Sequence, residues 1–134
     1  MRDDLEQKIM NRFSWFEAKN VWTGEKLGFP FPCAHGDGWY KLIYDCMDEI
    51  ENLYEEKGAN IDTLIIEQIK EKFGGLRVYL SNYIDGVDDI ITKYENKCYE
   101  VCEICGDVGK LRRNGGWYRT VCDACAEKYG YEDV

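Results

Sequence analysis

Four cysteines near the C-terminus form the pattern with the clearest chemical meaning in this chain. Cys102 and Cys105 are two residues apart, Cys122 and Cys125 are also two residues apart, and sixteen residues separate the pairs. Two such pairs can converge on one tetrahedral Zn²⁺, and four thiolates leave no coordination position open for water. The spacing therefore predicts a structural zinc site. Iron, a redox dithiol and two unrelated pairs of core thiols are the alternatives.

The remaining cysteines and the single histidine give no comparable pattern. Cys33, Cys46 and Cys98 lie outside the four-cysteine spacing and are interpreted as core or loop thiols. Cys33 and His35 are two residues apart in a loop, where their side chains rarely meet, and no third group orients the histidine. We therefore predict no catalytic residue and favour a binding protein over an enzyme; a phosphodiesterase is the enzymatic alternative.

Basic residues are concentrated in one segment of an acidic chain. The net charge is −9, which makes a general nucleic-acid-coating role unfavourable. The segment 108–121 nevertheless has no acidic residue, and it interleaves Trp117 with cations at Lys110, Arg112, Arg113 and Arg119. Cations beside an aromatic ring suit a base and its phosphates, so a small anionic ligand is predicted; a merely solvated arm is the alternative.

Two glycine-bearing segments supply further candidate ligand residues. Lys72 and Arg77 flank a turn at 73–75, and strand alternation places Tyr79 on the same face as Arg77. Phosphate contacts and a solvated strand edge are both compatible with this pattern. Trp39 follows Asp37 at a predicted helix start, where Asp37 can act as the N-cap. The free N–H groups there could cradle an anion while Trp39 stacks on a base; a cap with an aromatic staple is the alternative.

The elements that must position these residues are predicted from periodicity and from turn residues. Apolar residues recur at helical spacing in 1–20, 39–57 and 86–100, and Gly58 is expected to end the second helix. Segments 64–70 and 76–81 are predicted to form a β-hairpin, and 21–38 an irregular loop. The predicted class is α+β, with helices packed on a small antiparallel sheet and a C-terminal zinc ribbon built on the four cysteines. We expect one domain, 1–134, with a body at 1–100 and the ribbon at 101–129.

Composition also predicts where the protein resides. No apolar run reaches the roughly 18 residues of a membrane span, and the N-terminal segment lacks the basic flank and apolar stretch of an export signal. Paired cysteines in metal-type spacing are typical of a reducing compartment. A cytoplasmic protein with no membrane association is therefore expected.

Three motifs of this sequence resemble those of small proteins found in bacteriophage and prophage genomes. They are GDGW at 36–39, EKFGGLR at 71–77, and a CEICG…GW…T-x-C ribbon from Cys102 to Cys125 that includes Trp117 and Thr120. The resemblance covers residues 33 to 125. In size and acidity the chain is also similar to phage proteins that sequester nucleotide immune signals, such as the Lockin and Sequestin families that counter Thoeris defence.

No activity is attached to the motif resemblance; the similarity in size and acidity implies a protein that binds a cyclic ADP-ribose-like molecule or a cyclic dinucleotide and so blocks bacterial defence signalling. In this hypothesis the phosphates contact Lys72, Arg77, Arg112, Arg113 and Arg119, and the base stacks on Trp39, Tyr79 or Trp117. The alternatives are a zinc-stabilised protein that binds a host protein and a nucleic-acid-binding zinc ribbon. Homo-oligomers are compatible with the first hypothesis because small binding proteins can build pockets between subunits.

Overall fold

The computed structural model describes residues 1–134 and confirms the α+β class. The chain has four α-helices and eight strands, and the strands form three small sheets. The elements are α1 (Asp3–Arg12), β1 (Glu17–Lys19), β2 (Lys26–Pro30), β3 (Cys33–Ala34), α2 (Tyr40–Lys57), β4 (Ile65–Lys72), β5 (Gly75–Ser81), α3 (Val87–Lys97), β6 (Lys110–Asn114), β7 (Trp117–Val121), α4 (Asp123–Tyr129) and β8 (Glu132–Asp133).

The largest core lies among α1, α2, α3 and the sheet of β3, β4 and β5. β4 and β5 form the predicted antiparallel hairpin, and β3 runs parallel to β4 on its other side. A cluster of 22 buried residues joins these elements, because α2 and α3 each turn one apolar stripe toward the sheet. α2 ends as predicted at Gly58, whose φ of 64° allows its N–H to bond back to Glu55.

The C-terminal part forms its own small sheet around the four cysteines. β6 and β7 are an antiparallel hairpin, and β8 pairs with the other edge of β6. α4 begins directly after Cys122. One cysteine pair precedes β6 and the other follows β7, which is consistent with a zinc ribbon; this part is called the ribbon below.

The N-terminal 38 residues differ most from the sequence-based prediction. The helix predicted over 1–20 ends at Arg12, and a 3₁₀ turn at Ser14–Phe16 leads into β1. Residues three apart share a face in a 3₁₀ turn as well as in an α-helix, so the apolar spacing of Phe13 and Phe16 fits both structures. The predicted irregular loop 21–38 contains β2, which pairs with β1 across a register shift, and the short strand β3.

Asp37 does not cap α2 as predicted. It begins a 3₁₀ turn, Asp37–Trp39, that precedes α2, and no side chain makes a cap hydrogen bond at the helix start. Its Oδ1 instead accepts the backbone N–H of Arg2 at 2.8 Å. No helix combines the length and the apolar character that a membrane crossing requires.

Candidate metal centre

The four cysteines of the ribbon converge on one point. Their Sγ atoms all lie within 4.8 Å of one another, and Cys105 and Cys122 approach to 3.5 Å. Four thiolates at about 2.3 Å from one tetrahedral ion would be about 3.8 Å apart, which falls inside this range. Cys102 is buried and Cys105 is exposed, so the site lies at the surface with one ligand accessible.

Backbone hydrogen bonds shape both cysteine pairs. In the first pair, the N–H of Gly106 donates to the carbonyl of Cys102 at 2.9 Å, and the N–H of Cys102 donates to Asp107 at 2.7 Å. Gly106 adopts φ 87°, which a glycine tolerates without strain. In the second pair, Cys125 N–H points at the Sγ of Cys122 at 3.4 Å from the first turn of α4. Both turns therefore aim their thiols at a common centre.

The thiol chemistry fits a metal cation. Burial acts to raise the pKa of Cys102, yet the N–H groups of Cys105, Cys122 and Ile104 outweigh it and lower the pKa to about 7. Burial and the neighbouring thiols raise the pKa of Cys125 to about 12. Four sulfurs this close cannot all ionise unless a cation balances them. A metal ion bound here would supply that charge, and a closed set of four ligands would give it a structural role.

The GDGW segment holds the first cysteine pair in place. Glu103, between the two cysteines, accepts the N–H of Gly36 on Oε2 and the N–H of Gly38 on its backbone carbonyl, each at 2.8 Å. The indole N–H of Trp39 donates to Val101 at 2.8 Å. Near the predicted helix start, the N–H groups of Gly36 and Gly38 thus bond to the protein's own Glu103 and are not free for an anion. The motif joins the body to the ribbon.

Close packing explains the glycines of this motif. A Cβ at Gly38 would overlap the carbonyl oxygen of Cys102 and lie 2.6 Å from the backbone nitrogen of Gly106. A Cβ at Gly36 would likewise overlap the backbone of Glu103. Because backbone atoms cannot move aside as a flexible side chain can, only glycine allows this approach.

The EKFGGLR segment contacts the ribbon from the other side. The hydroxyl of Thr120 donates to the carbonyl of Gly74 at 2.8 Å, and this bond is buried. A Cβ at Gly74 would overlap the side chain of Leu111. The tip of the β4–β5 hairpin is therefore packed against the β6–β7 hairpin, and both glycine motifs are explained by body–ribbon packing.

Acidic residues from distant positions neutralise most of the basic segment 108–121. Arg112 is only 5% exposed and forms ion pairs with Asp123 and, at 3.1 Å, with Asp133. Lys110 also pairs with Asp133. The half-buried Arg119 pairs with Glu103 at 3.0 Å. This pairing corrects the predicted cationic surface, because Arg112 and Arg119 are bound within the protein and are not free to bind phosphates.

Of the other predicted ligand residues, Trp39 lies in the turn before α2, and Arg77 and Tyr79 lie two residues apart on β5. Trp39 is fully buried in the core, so its ring has no face for a ligand, which corrects that prediction. Arg77 donates to the carbonyl of Leu76, and a hydrogen bond with Tyr99 raises its pKa. Tyr79 is exposed on the same strand, outside the cluster described next.

Three predicted residues remain exposed near one another at the hairpin tips. Lys72, Arg113 and Trp117 are exposed, and neither cation forms an ion pair. Lys72 precedes Phe73 in the β4–β5 turn, and Arg113 is opposite Tyr118 in the β6–β7 ladder. We call Phe73, Trp117 and Tyr118 the tip cluster. It borders a cleft of about 180 Å³ lined by Glu71, Phe73, Gly116, Trp117 and Tyr118.

Phe73, Tyr118 and Glu103 were missed from the sequence. Phe73 follows Lys72 where a β-turn was predicted, and an aromatic residue at that point of a turn is a signal that could have marked it. Tyr118 becomes notable only through the pairing of β6 with β7. Nothing local distinguishes Glu103, whose partners Gly36 and Arg119 are distant in the chain.

A second, larger cleft lies beside the exposed ligand Cys105. It has a volume of about 410 Å³ and is lined by Cys105 with its neighbour Gly106 and by the start of α2. Asp37 and Asp45 are its charged acidic residues, and Lys41 is paired with Asp45 at 2.9 Å. Asp37 is paired with Arg2 at 3.6 Å, so the cleft offers no unpaired cation to a phosphate.

Comparison with known proteins identifies no family. No protein-family model, no curated protein and no solved structure matches this chain. The resemblance to phage and prophage proteins stays an expectation based on the three motifs.

Proposed function

We propose that this protein is a zinc-stabilised binding module that recognises a partner protein through the tip cluster. Zinc is the proposed metal because four thiolates in tetrahedral reach are its usual structural ligand set. With no open coordination position the metal holds structure, and the ribbon then fixes the β6–β7 hairpin against the body. The module so formed presents Phe73, Trp117 and Tyr118 on two braced hairpins.

The exposure of Phe73 is the observation that supports this proposal most directly. Phe73 has φ 53°, a conformation that is strained for a bulky residue, and its side chain is 72% exposed. A glycine would fit the turn without strain and without an exposed ring. Trp117, 79% exposed, lies across the cleft from it. Aromatic side chains that are exposed to solvent on a strained backbone and held on rigid elements are typical of binding hot spots.

The surroundings indicate the kind of partner. Lys72 and Arg113 are unpaired cations beside the aromatic rings, and Glu71 is the acidic residue in the cleft lining. A surface with an apolar core and a mainly basic rim fits a partner that inserts an apolar side chain and places carboxylates around it. In a bacterial host this partner would be a protein inhibited or recruited by the module.

Affinity purification from a bacterial lysate with quantitative mass spectrometry tests the proposal. Phe73→Gly removes the ring and suits the positive φ, so this variant is expected to stay folded while losing the partner. Trp117→Ser should lose the same partner. Val108→Ser is the matched control, because Val108 is an 87% exposed apolar residue outside the tip cluster. A partner that persists in both tip variants, or the absence of any enriched protein, would contradict the proposal.

A nucleotide-signal sponge is the second candidate, and the unpaired cations favour it. Lys72 and Arg113 could contact phosphates while Trp117 or Phe73 stacks on a base. The adjoining cleft of about 180 Å³ is smaller than the roughly 300 Å³ at which ligand pockets usually begin, so a second copy would have to complete the pocket. Blockade of bacterial defence signalling would then follow from retention of the signal.

Native mass spectrometry separates the two candidates. The purified protein is incubated with cyclic ADP-ribose isomers and cyclic dinucleotides, desalted, and then heated to release bound molecules. An oligomer that retains and releases an intact nucleotide supports the sponge. A zinc-loaded protein with no nucleotide mass supports the protein-binding module, and the same spectrum identifies the metal by its mass.

A further inference from the structure

A second apolar surface lies on the β1–β2 hairpin, far in sequence from the tip cluster. Trp22 is 90% exposed in the turn of this hairpin. Leu27 and Phe29 are each about half exposed on β2. They lie on either side of Gly28, whose φ of 85° interrupts the regular strand geometry. We call Trp22, Leu27 and Phe29 the hairpin surface.

A cleft of about 340 Å³ adjoins this surface at Phe29. Phe29, Pro30 and Pro32 line one side of it, and Asp3, Glu6 and Gln7 of α1 line the other. The cleft thus combines an apolar wall with two carboxylates, and it contains no basic side chain.

Glu6 is an unusual carboxylate for such a position. Glu6 is only 6% exposed, and its Oε2 accepts the N–H of Cys33. Oε1 has no hydrogen-bond partner, and neither Glu6 nor Asp3 forms an ion pair. The nearby N-terminal ammonium group directs its hydrogen bonds to the carbonyls of Cys33 and His35.

Burial makes this carboxylate receptive to a cation. Loss of hydration raises the pKa of Glu6, and the N–H of Cys33 and the charge of the N-terminal ammonium group offset this rise only in part. A cationic group that entered the cleft would restore that compensation, and it would do so in surroundings where charge pairs interact more strongly than in water. A neutral group of the same shape would not compensate the charge of the carboxylate.

We infer that the hairpin surface and its cleft dock a segment of a partner protein in which an arginine or lysine is flanked by apolar side chains. The cation enters the cleft beside Glu6 and Asp3, and the apolar neighbours cover Phe29 and Leu27. Charge favours this occupant over a second copy of the chain, since each copy has a net charge of −9 and two copies repel. This surface shares no residue with the tip cluster, and the inference does not depend on the function proposed for that cluster.

Two short fluorescent peptides provide the test. They are identical except for a central arginine in one and its neutral isostere citrulline in the other, with leucines on both sides. Fluorescence anisotropy should give the arginine peptide at least about tenfold tighter binding to the full-length protein, as expected for a charge pair in a partly buried site. In Glu6→Gln this preference should fall below about twofold.

Variants separate the two parts of the surface. Phe29→Ser should weaken both peptides to a similar extent, because it removes apolar contact and leaves the carboxylates in place. Phe73→Gly is the control, and it should change neither affinity. Gln can still accept the N–H of Cys33, so Glu6→Gln is expected to fold; thermal melting checks this. If it does not fold, the exposed Asp3→Asn takes its place, with an expected loss of at least about threefold in the preference for arginine.

Three results would overturn the inference. The first is equal affinity of the wild-type protein for both peptides, or no binding of either. The second is an unchanged arginine preference in the folded carboxylate variant. The third is a wild-type dimer in sedimentation that Phe29→Ser converts to a monomer, because that result would make a second copy the occupant.

Discussion

Glu103 connects three parts of the molecule through one side chain. Glu103 is 4% exposed and lies between two candidate metal ligands, Cys102 and Cys105. One carboxylate oxygen accepts an N–H from the GDGW segment at Gly36, and the other accepts from Arg119 on β7. A buried carboxylate is favourable only when its oxygens are bonded in this way. The metal centre therefore depends on a residue that is not a ligand.

Replacing this carboxylate should destabilise the protein strongly. Glu103→Ala leaves a half-buried guanidinium and a backbone N–H without partners, and we expect a loss of about 3 kcal/mol in the free energy of unfolding. Glu100→Ala is the control, since Glu100 is exposed and its change should cost less than about 0.5 kcal/mol. Urea denaturation of both variants measures the difference. Equal stability would show that Glu103 is not a structural link.

His35 should make stability depend on pH. Its ring is buried, its Nδ1 lies 2.8 Å from the carbonyl of Gly36, and its Nε2 has no hydrogen-bond partner. Burial lowers the pKa of His35 below its ordinary value of 6.5, so the unfolded chain binds the proton first as pH falls. The contribution of neutral His35 is therefore complete above pH 6.5 and is lost progressively below it.

Comparison with His35→Gln isolates this contribution. Below pH 6.5 the wild-type free energy of unfolding should fall more steeply than that of the variant, and above it the two slopes should agree. Burial raises the pKa of Glu6, so its contribution to the free energy of unfolding changes with pH in the opposite direction. Because Glu6 is present in both proteins, this contribution cancels in the difference. Parallel curves across pH 5 to 8 would exclude His35 as the titrating group.

At the scale of elements, the two glycine motifs act as contact points between the body and the ribbon. Gly38→Ala should disturb one of them, because its Cβ would overlap the backbone of Cys102. We expect a loss of about 2 to 4 kcal/mol, in the range of other changes that force backbone atoms apart. Gly116→Ala is the matched control, since a Cβ there has no atom within 4 Å and its φ is not positive.

Thermal melting and metal content should distinguish these two variants. Gly38→Ala is expected to melt earlier and to retain its metal less well, while Gly116→Ala should match the wild-type protein in both. A wild-type melting temperature in Gly38→Ala would mean that the close approach of GDGW to the first cysteine pair is not required.

Sequence patterns predicted the elements whose signals are local and periodic. The stripes of α2 and α3, the stop at Gly58 and the β4–β5 hairpin each depend on residues close together in the chain. β1 and β2 were missed because they are short, pair across a register shift and lack alternation of buried and exposed residues. Strand pairing of this kind depends on tertiary contacts more than on local pattern.

The candidate site was likewise predicted correctly where the signal is local and incorrectly where it depends on tertiary contacts. The cysteine spacing is a local signal, and it predicted which four sulfurs meet. The cations of 108–121 looked unpaired because their partners Glu103, Asp123 and Asp133 lie outside that segment. Charge along a sequence therefore indicated a basic surface that the folded molecule largely neutralises.

On the scale of the whole molecule, two cores of very different size lie side by side. The body has 22 clustered buried residues, and the ribbon has five. Three of those five are the ligands Cys102, Cys122 and Cys125, so Val121 and Ala126 are its remaining apolar residues. A core of this size is too small to stabilise the ribbon on its own, and we expect a bound metal ion to supply most of the ribbon's stability.

Removal of the metal should therefore unfold the ribbon and leave the body folded. After chelation, amide hydrogen exchange in β6 and β7 is expected to lose its protection, while amides of α2 and β4 keep theirs. Cys122→Ser should have the same effect, since zinc-type sites contribute on the order of 10 kcal/mol to the folding of small modules. Cys33→Ala is the control, because it removes a buried thiol outside the metal site.

Added Zn²⁺ should restore the protection of the wild-type protein but not of Cys122→Ser. Partner binding through the tip cluster should disappear with the metal, because Trp117 and Tyr118 are on β7 while Phe73 is on the body. Binding through the hairpin surface should survive, since Leu27, Phe29 and Glu6 all lie outside the ribbon. If chelation instead unfolds the whole chain in one transition, the body depends on the ribbon, and the metal supports both surfaces.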